Sequence, residues 1–525
     1  MELVIRLFTF LSNILYHILR PFFWYANRHP GSKISAAKDP ILKLSAVAIA
    51  EKIRQRELSS EAVISAYIAR IREVNPLLNA VVEDRFESAI REAKLCDEKL
   101  ATGEVTAKQL EAEQPLYGVP VTVKESCAVK GLSHTGFSLA RSGVKANYDS
   151  EPVVRLKIAG AIPLCVTNTP ELCLGFETQN NVFGTTNNPY DTRRTAGGSS
   201  GGEAALLTSA ASVIGIGSDI AGSIRLPAHL NGVFGHKPTP GAISIEGHFP
   251  YVDDAEFCRY LVIGPMTRYA EDLALAVRVM ADRNCTAALR LDSPVDVKSV
   301  KVRYMEEVEA SFGLVPVHED VKRTIKQAAE YLRVAGADVE KVNIGQLKDS
   351  LELGLVLFFG MHKMPQILLN PDDPKHESNT LSEAGKAIFG LSRHTKSAIF
   401  FKFMKDVKVL VPRSRRPSFR MEAQKLQRTF MDLLGDDGVF LFPTFVTSAP
   451  FHGQLSLQLA GTLYCIICNV LGLPSTHVPM GLDSEGLPVG LQVIAAPMQD
   501  RLCLAVAKEL EKGFGGWIPP SVVTA

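Results

Sequence analysis

The feature that most constrains this chain is a glycine- and serine-rich stretch at residues 197–225, GGSSGGEAALLTSAASVIGIGSDIAGSIR. Glycine lets a backbone turn tightly and approach a ligand closely, and a serine hydroxyl becomes a nucleophile when a neighbouring base removes its proton. Residues 203–209 predict a short helix, and residues 210–216 predict a short buried strand. A return of the chain after that strand would bring Ser199 and Ser223 together, which indicates covalent catalysis.

Other interpretations of the GGSSGG run fit less well. A flexible linker would lie in polar sequence, whereas this run leads directly into an apolar helix and strand. A Walker phosphate loop ends in Gly-Lys-Ser/Thr, and residues 197–225 contain no lysine; the dinucleotide fingerprint needs glycine where Ile220 stands. The G-x-S-x-G nucleophile elbow matches in letters, but residues 187–195 before it are a polar loop instead of a buried strand. The elbow is kept as a minor alternative.

Lys124 is a candidate base upstream of both serines. In residues 116–126, LYGVPVTVKES, valines alternate at 119, 121 and 123 as in a strand, and Lys124 ends it. A lysine at a strand end is usually a solvated charge. In a desolvated cleft beside two hydroxyls, however, the charged ammonium is disfavoured, so a neutral amine can accept a proton.

Composition indicates a globular protein without a metal or cofactor. Of the 525 residues, 46% are hydrophobic and 22% are charged, enough for a large core, and the net charge of +1 gives no general attraction to nucleic acid. The 9 cysteines are odd in number and lie mostly in apolar sequence, which favours free thiols. Cys465 and Cys468 form a C-x-x-C pair with no second pair nearby, and the histidines form no metal-binding motif.

The order of predicted elements indicates an α/β fold. Amphipathic helices are predicted at residues 45–56, 59–75 and 85–100, with Ser59 as a helix cap and Pro76 as the end of the second helix. From residue 116 to about residue 241 strands and helices alternate. This pattern predicts a mixed, mainly parallel sheet that is covered by helices on both faces and contains the active site.

Three motifs together resemble the amidase signature family: Lys124, GGSSGG at 197–202, and GSDIAGSIRLPA at 217–228. Flanking stretches agree, including AGAIPLCVTNTPEL at 159–172, NGVFGHKPTPG at 231–241 and LPVGLQVIA at 487–495. The resemblance implies an amidase-type α/β sandwich over residues 44–515.

The resemblance also implies a role for each site residue. Ser223 would attack an amide carbonyl and form an acyl-enzyme, Ser199 would relay the proton, and Lys124 would be the base. A cis peptide bond is expected at Gly198–Ser199. Backbone N–H groups of an oxyanion hole are expected at Ile220, Ala221, Gly222 and Ser223. Supporting residues are expected at Ser200, Asp219 and Arg225.

One position departs from the family pattern. The family usually has two glycines before the nucleophile, and this chain has Ala221 and Gly222. Alanine keeps its N–H group. If the backbone angle at this position were open only to glycine, however, the oxyanion hole would be distorted.

Residues 1–25 predict a membrane-seeking helix. The segment is strongly apolar but is interrupted by Arg6, His17 and Arg20, and its uncharged run at 7–19 is shorter than the roughly 20 residues that cross a bilayer. A helix lying in the membrane interface is the preferred prediction, and a spanning helix with snorkelling arginines or a cleaved signal peptide are the alternatives. Residues 26–43 are predicted to be a linker, and residues 516–525 a tail.

A variable insert is predicted at residues 285–430, where the family resemblance is weak. Its apolar stretches at 355–359 (LVLFF) and 398–404 (AIFFKFM) are expected to line an acyl channel or to form a membrane cap. Residues 386–416 combine many basic side chains with phenylalanines, which favours a membrane surface over nucleic acid. A solvated helix over the core is the alternative.

These features predict a serine amidase that acts on long-chain fatty acid amides or N-acyl amines at an intracellular membrane. One alternative is a glutamine amidase of the amidotransferase A type. Another is an inactive lipid-binding scaffold. The expected partners are a lipid amide and a membrane, without nucleic acid or cofactor, and a homodimer is left open.

Overall fold

The computed structural model describes residues 2–407 and 415–520. Residues 408–414 of the predicted basic segment and residues 521–525 of the predicted tail lie outside this part of the chain.

The described helices are α1 (Glu2–Ala26), α2 (Ala46–Arg54), α3 (Ser60–Leu78), α4 (Phe86–Thr102), α5 (Ala107–Glu113), α6 (Glu151–Ile158), α7 (Gly201–Thr208), α8 (Arg225–Asn231), α9 (Ala255–Tyr260), α10 (Ala270–Met280), α11 (Arg283–Leu289), α12 (Glu319–Val334), α13 (Ser350–Phe359), α14 (Thr380–Ile388), α15 (Lys396–Asp406), α16 (Arg416–Leu434), α17 (Leu463–Leu471) and α18 (Asp500–Phe514).

The described strands are β1 (Val81–Asp84), β2 (Pro120–Lys124), β3 (Ile162–Thr167), β4 (Gln179–Asn180), β5 (Gly184–Thr185), β6 (Asn187–Asn188), β7 (Asp191–Thr195), β8 (Ile214–Asp219), β9 (Phe234–Lys237), β10 (Val262–Thr267), β11 (Lys301–Tyr304), β12 (Asp338–Lys341), β13 (Leu369–Asn370), β14 (Asp373–Glu377), β15 (Gly438–Pro443), β16 (Ser475–Leu482) and β17 (Pro488–Ala495).

One large mixed sheet organises the described chain, in the order β1-β3-β2-β8-β10-β9-β16-β17-β15-β11-β12. Its parallel pairs are β2 with β3 and β8, and β11 with β12 and β15. The other six pairings are antiparallel, so the prediction of a mainly parallel sheet was wrong. The connection between β16 and β17 shows one reason, since it is too short for the crossover that parallel strands require.

Helices cover both faces of this sheet, as predicted. Along β15, Val439 and Leu441 pack in one apolar cluster with α10, α12 and α18, whereas Phe440 and Phe442 pack in another with α13, α16 and α17. The alternation follows from the period of two residues in a strand. The predicted variable insert contributes β11 and β12 to the edge of the same sheet.

The three helices predicted at residues 45–56, 59–75 and 85–100 are present, with boundaries that differ by one to three residues. The Ser59 side chain accepts a hydrogen bond from the Ala62 N–H and caps α3, as expected. Pro76 does not end that helix, which continues to Leu78 and stops at Asn79 in the left-handed region. Residues 187–195, predicted to be a loop, form the short antiparallel pair β6 and β7.

The N-terminal segment forms α1 and packs on the rest of the protein. Ile5, Arg6 and Thr9 are buried, and the Arg6 guanidinium donates to the Glu352 carboxylate of α13 and to the Phe312 carbonyl at 3.2 Å. Leu11, Ile18, Phe22 and other apolar side chains of α1 are exposed. None of the helices in residues 2–407 and 415–520 has both the length and the apolar character that crossing a bilayer requires.

Candidate active site

Lys124 and Ser199 meet inside the protein. Lys124 ends β2, and its Nζ lies within hydrogen-bond distance of the Ser199 Oγ, at 2.6 Å; both residues are buried. Ser199 lies in the turn between β7 and α7, and the peptide bond that precedes it is cis, as expected. The predicted contact between Lys124 and Ser199 is therefore present.

Ser223 lies on the loop between β8 and α8, beside the other two residues. Its carbonyl accepts a hydrogen bond from the Ser200 N–H at 3.1 Å, which ties the two serine clusters together. A small cavity is lined by both Ser199 and Ser223. Ser223 is buried, with 5% of its surface exposed, and is reached through the cavities that it lines.

The predicted oxyanion donors divide into two groups. The Gly222 N–H donates to the Asp219 Oδ1 at 2.8 Å, so it is occupied in this structure. In the described part of the chain, the N–H groups of Ile220, Ala221 and Ser223 donate to no other group. All three residues line the cavity at Ser223, so their N–H groups stay candidates for the oxyanion hole.

The backbone explains why Ala221 is tolerated and Gly222 is needed. Gly222 has a φ of +112°, which side-chain-bearing residues rarely adopt, whereas Ala221 is absent from the residues with positive φ. A Cβ atom on Gly222 would lie 2.6 Å from the Cys465 Cβ. The chain therefore keeps glycine at the position of this pair that requires it.

Asp219 and Arg225 support the loop that carries Ser223. The Arg225 guanidinium binds both Asp219 carboxylate oxygens at 3.1 Å, and Asn469 donates to the Oδ1 at 3.0 Å. Burial alone would raise the pKa of Asp219, but the Arg225 charge and these hydrogen bonds hold it below its ordinary value. Asp219 in turn accepts from Gly222 and from the Ile224 N–H at 3.1 Å, which fixes the backbone on both sides of Ser223.

Ser200, at the N-cap of α7, and Glu203, in its first turn, extend the support. The Ser200 hydroxyl donates to the Ser218 carbonyl at 3.4 Å. Glu203, which was not predicted, accepts from the Thr122 hydroxyl at 2.5 Å and from the Thr167 hydroxyl at 2.6 Å. Burial raises the pKa of Glu203 to about 7. This close packing needs Gly215 in β8, since a Cβ atom there would lie 2.2 Å from the Glu203 Oε2.

Ser218 and His248 also belong to the site, and the sequence did not indicate them. The Ser218 Oγ is 3.0 Å from the Lys124 Nζ and 2.9 Å from the His248 Nε2. Ser218 could have been suspected because it precedes Asp219 in the signature. His248 lies in a loop between elements, where no periodicity or motif marks a contact across the fold.

A larger cavity of about 440 Å³ opens at Ser223. Its lining is almost entirely apolar and includes both stretches that were predicted to form an acyl channel. The lining residues are Val4, Ile5, Phe8 and Thr9 of α1, residues 173–176, Ile220, Ala221 and Ser223, Leu351, Leu355, Phe358 and Phe359 of α13, Phe400, Phe401, Phe403 and Met404 of α15, and Val407, Leu459, Thr462 and Ile466. The wall formed by α1 was not predicted.

The chain belongs to the Amidase family, whose model matches residues 62–504. Fatty-acid amide hydrolase 2 of Homo sapiens is 41% identical over 488 residues, which cover 92% of this chain and 91% of the human protein. The A subunit of glutamyl-tRNA(Gln) amidotransferase from Carboxydothermus hydrogenoformans is 31% identical over 503 residues, with 89% and 97% covered.

A solved structure, the native peptide amidase from Stenotrophomonas maltophilia, shares the fold with a TM-score of 0.71 at 24% identity; 92% of this chain and 100% of that chain are covered. Family membership and the similarity to fatty-acid amide hydrolase 2 identify the chain as an amide-hydrolysing enzyme.

Proposed function

We propose that this enzyme hydrolyses long-chain fatty acid amides or N-acyl amines through Lys124, Ser199 and Ser223. The observation that carries the proposal is the apolar cavity that opens at Ser223. Binding pockets of about 300–1,000 Å³ with apolar walls and few polar groups suit ligands with a long hydrocarbon part. The 41% identity to a fatty-acid amide hydrolase 2 supports the same substrate class.

In the first step, Ser223 Oγ attacks the amide carbonyl carbon. Its proton passes to Ser199, and the Ser199 proton passes to the neutral Lys124 amine over the 2.6 Å contact. The new O–C bond places negative charge on the carbonyl oxygen, which accepts hydrogen bonds from the N–H groups of Ile220, Ala221 and Ser223. Such preorganised donors are worth about 3 kcal/mol each in the barrier.

In the second step, the C–N bond breaks and the proton returns through Ser199 to the departing nitrogen. The amine leaves, and the acyl group stays on Ser223 as an ester. Water then loses a proton to the same relay and attacks the ester carbonyl. The O–C bond to Ser223 breaks, the serine regains its proton, and the fatty acid leaves.

The substrate proposal is tested with purified full-length enzyme and amides of increasing acyl chain length. The expected result is a kcat/KM that rises with chain length and is lost in Ser223→Ala. Preferential hydrolysis of glutamine would instead support an amidotransferase A-type activity. If folded wild-type protein hydrolyses no amide and reacts with no fluorophosphonate, the inactive lipid-binding scaffold is the better account.

We also propose that the enzyme attaches to an intracellular membrane surface through α1 and the segment at 386–416. Apolar side chains on α1 are exposed over its length, and exposed Ile388, Phe389 and Leu391 lie at the end of α14. A row of exposed apolar side chains next to basic residues is typical of interfacial membrane binding.

A further inference from the structure

Lys124 is held by a second set of hydrogen bonds besides its contact with Ser199. Its Nζ is 3.0 Å from the Ser218 Oγ and 3.5 Å from the Ser218 carbonyl oxygen. The same Ser218 Oγ is 2.9 Å from the His248 Nε2, and the His248 Nδ1 is 2.9 Å from the Pro250 carbonyl oxygen. All three side chains are buried.

The direction of each hydrogen bond follows from what its partners can donate. A carbonyl oxygen only accepts, so the His248 Nδ1 carries the proton that is donated to Pro250. The Nε2 of a neutral imidazole is then an acceptor, and the Ser218 hydroxyl donates to it. The Ser218 Oγ consequently presents only lone pairs to Lys124.

This arrangement gives each N–H group and the lone pair of a neutral Lys124 amine a hydrogen-bond partner. The amine has two N–H groups and one lone pair. The two oxygen atoms of Ser218 accept the N–H groups, so the lone pair is left for the Ser199 hydroxyl at 2.6 Å.

The loop that carries His248 is fixed to the segment that follows Lys124. Cys127 and His248 form an antiparallel bridge, the Phe249 N–H donates to the Ser126 carbonyl at 2.8 Å, and the Ala128 N–H donates to the Gly247 carbonyl at 3.0 Å. Because β2 ends at Lys124, the histidine and the lysine are attached to the same rigid unit.

Burial keeps His248 neutral near neutral pH. Burial lowers the pKa of His248 to about 3, and the Lys124 charge adds to this effect whenever that side chain is protonated. Lys124 also lies near the Glu203 carboxyl and the Cys127 thiol, and His248 lies near His134. Burial raises the pKa of Cys127 to about 12 and lowers that of His134 to about 4, so neither group becomes charged near neutral pH.

We propose that His248 is a positioning residue that acts through Ser218 to direct the lone pair of the Lys124 amine at Ser199. Without an acceptor at His248, the Ser218 hydroxyl turns to the lone pair of the Lys124 nitrogen, which is 3.0 Å from its Oγ. It then competes with Ser199 for the lone pair. This inference rests on the proposed role of Lys124 as the base.

The test uses the full chain and the rate at which a fluorophosphonate labels Ser223, together with kcat and KM for an amide that the wild type hydrolyses. His248→Leu removes the acceptor. It is expected to lower the labelling rate and kcat by about tenfold near neutral pH and to leave KM unchanged. This loss is a part of the roughly 10²–10⁴-fold acceleration that a general base supplies. His248→Gln is expected to keep most of the rate because its amide oxygen can accept the Ser218 proton.

A double-mutant cycle separates this role from simple packing. In the Ser218→Ala background, His248→Leu is expected to cause no further loss, because the pathway to Lys124 is already absent. His134→Gln is the matched control, since His134 is a buried histidine whose Nε2 contacts the Ser126 carbonyl at 3.3 Å and not Lys124. It should label like wild type. Melting temperatures of all variants identify any that do not fold.

Two results would overturn the inference: an unchanged labelling rate in folded His248→Leu, or an equal further loss when His248→Leu is added to Ser218→Ala. A third result, folded wild-type protein that does not react with the fluorophosphonate, would count against Ser223 as the nucleophile. It would remove the proposed function, and this inference with it.

Discussion

Within residues 2–407 and 415–520, the Lys124 side chain forms hydrogen bonds only with Ser199 and Ser218, which can orient it or exchange a proton with it. Lys124→Ala is therefore expected to lower kcat/KM by about 10²–10⁴-fold at neutral pH. Part of the activity should return at high pH, where hydroxide replaces the missing base. A pH–rate profile of the variant checks this, and a profile parallel to that of the wild type would contradict Lys124 as the base.

Gly222 and Ala221 are expected to differ sharply in their tolerance of substitution. Gly222→Ala forces a Cβ atom against Cys465 in a backbone region that disfavours side chains, so it should displace the neighbouring N–H donors. The fluorophosphonate labelling rate should fall by about 100-fold or more, the scale of one lost oxyanion donor.

Ala221→Gly is the matched control for this effect. It needs no unusual backbone angle and should label at nearly the wild-type rate. A Gly222→Ala variant with wild-type labelling would show that the loop geometry does not require glycine.

The buried Glu203 carboxyl is expected to make the free energy of unfolding depend on pH. Its folded pKa is raised from 4.5 to about 7, so the folded state keeps a proton that the unfolded state releases between these values. The contribution of Glu203 to stability is therefore fully present below pH 4.5 and is lost as the pH rises to 7. Glu203→Gln removes this titration.

The free energy of unfolding of Glu203→Gln, relative to wild type, should consequently increase between pH 5 and pH 8 by up to about 3 kcal/mol. Denaturant melts at the two pH values measure it. A difference between variant and wild type that does not change with pH would mean that Glu203 is ionised in the folded protein at pH 5.

At the residue scale, sequence motifs predicted Lys124, Ser199 and Ser223 as the catalytic residues. In the structure, Lys124 contacts Ser199, and Ser199 and Ser223 line the same cavity. The motifs could not identify His248, because its contact with Ser218 depends on how a loop crosses the end of β8. They also could not show that the Gly222 N–H is occupied by Asp219, since that depends on a turn of a few residues.

At the element scale, α1 forms part of the wall of the apolar cavity at Ser223, in addition to its proposed role in membrane attachment. Phe8 of α1 lines the cavity and stacks on Phe400 of α15 with ring centroids 5.9 Å apart. Phe8→Ala is expected to raise KM several-fold for a long-chain amide and to leave a short-chain amide unaffected, since only a long chain reaches α1.

Leu11→Ala is the control for this prediction, because Leu11 is an exposed apolar residue of the same helix that does not line the cavity. Steady-state kinetics with the two amides distinguish the variants. Equal effects of Phe8→Ala and Leu11→Ala on the long-chain KM would argue that α1 is not part of the substrate site.

Helices and strands were predictable where the sequence shows a clear hydrophobic periodicity or a capping residue. The strand that ends at Lys124 and the Ser59 cap were both found from the sequence. The strand predicted at residues 210–216 begins later, at Ile214, because residues 210–213 form the turn after α7. Strand direction was predicted wrongly because alternation of helices and strands does not reveal which strands become neighbours.

At the scale of the whole molecule, the exposed apolar face of α1 is expected to bring the enzyme to a lipid surface. Replacing Ile18, Phe22 and Trp24 together with serine should lower the fraction that sediments with phosphatidylcholine vesicles, because apolar area that enters the interface is removed. Hydrolysis of a short, soluble amide should be unchanged, since these residues do not line the cavity.

The matched control replaces three exposed apolar residues elsewhere, Leu95, Ile158 and Val334, with serine. This variant should bind vesicles like the wild type. Equal sedimentation of the α1 variant and the wild type would mean that another surface makes the membrane contact.

The most direct measurement of the central proposal is mass spectrometry of wild-type enzyme quenched during turnover of a long-chain fatty acid amide. The proposed mechanism predicts a mass increase equal to the acyl group, mapped to Ser223 and absent in Ser223→Ala. Efficient turnover with no acyl adduct at any time after mixing, or an adduct mapped to Ser199, would contradict it.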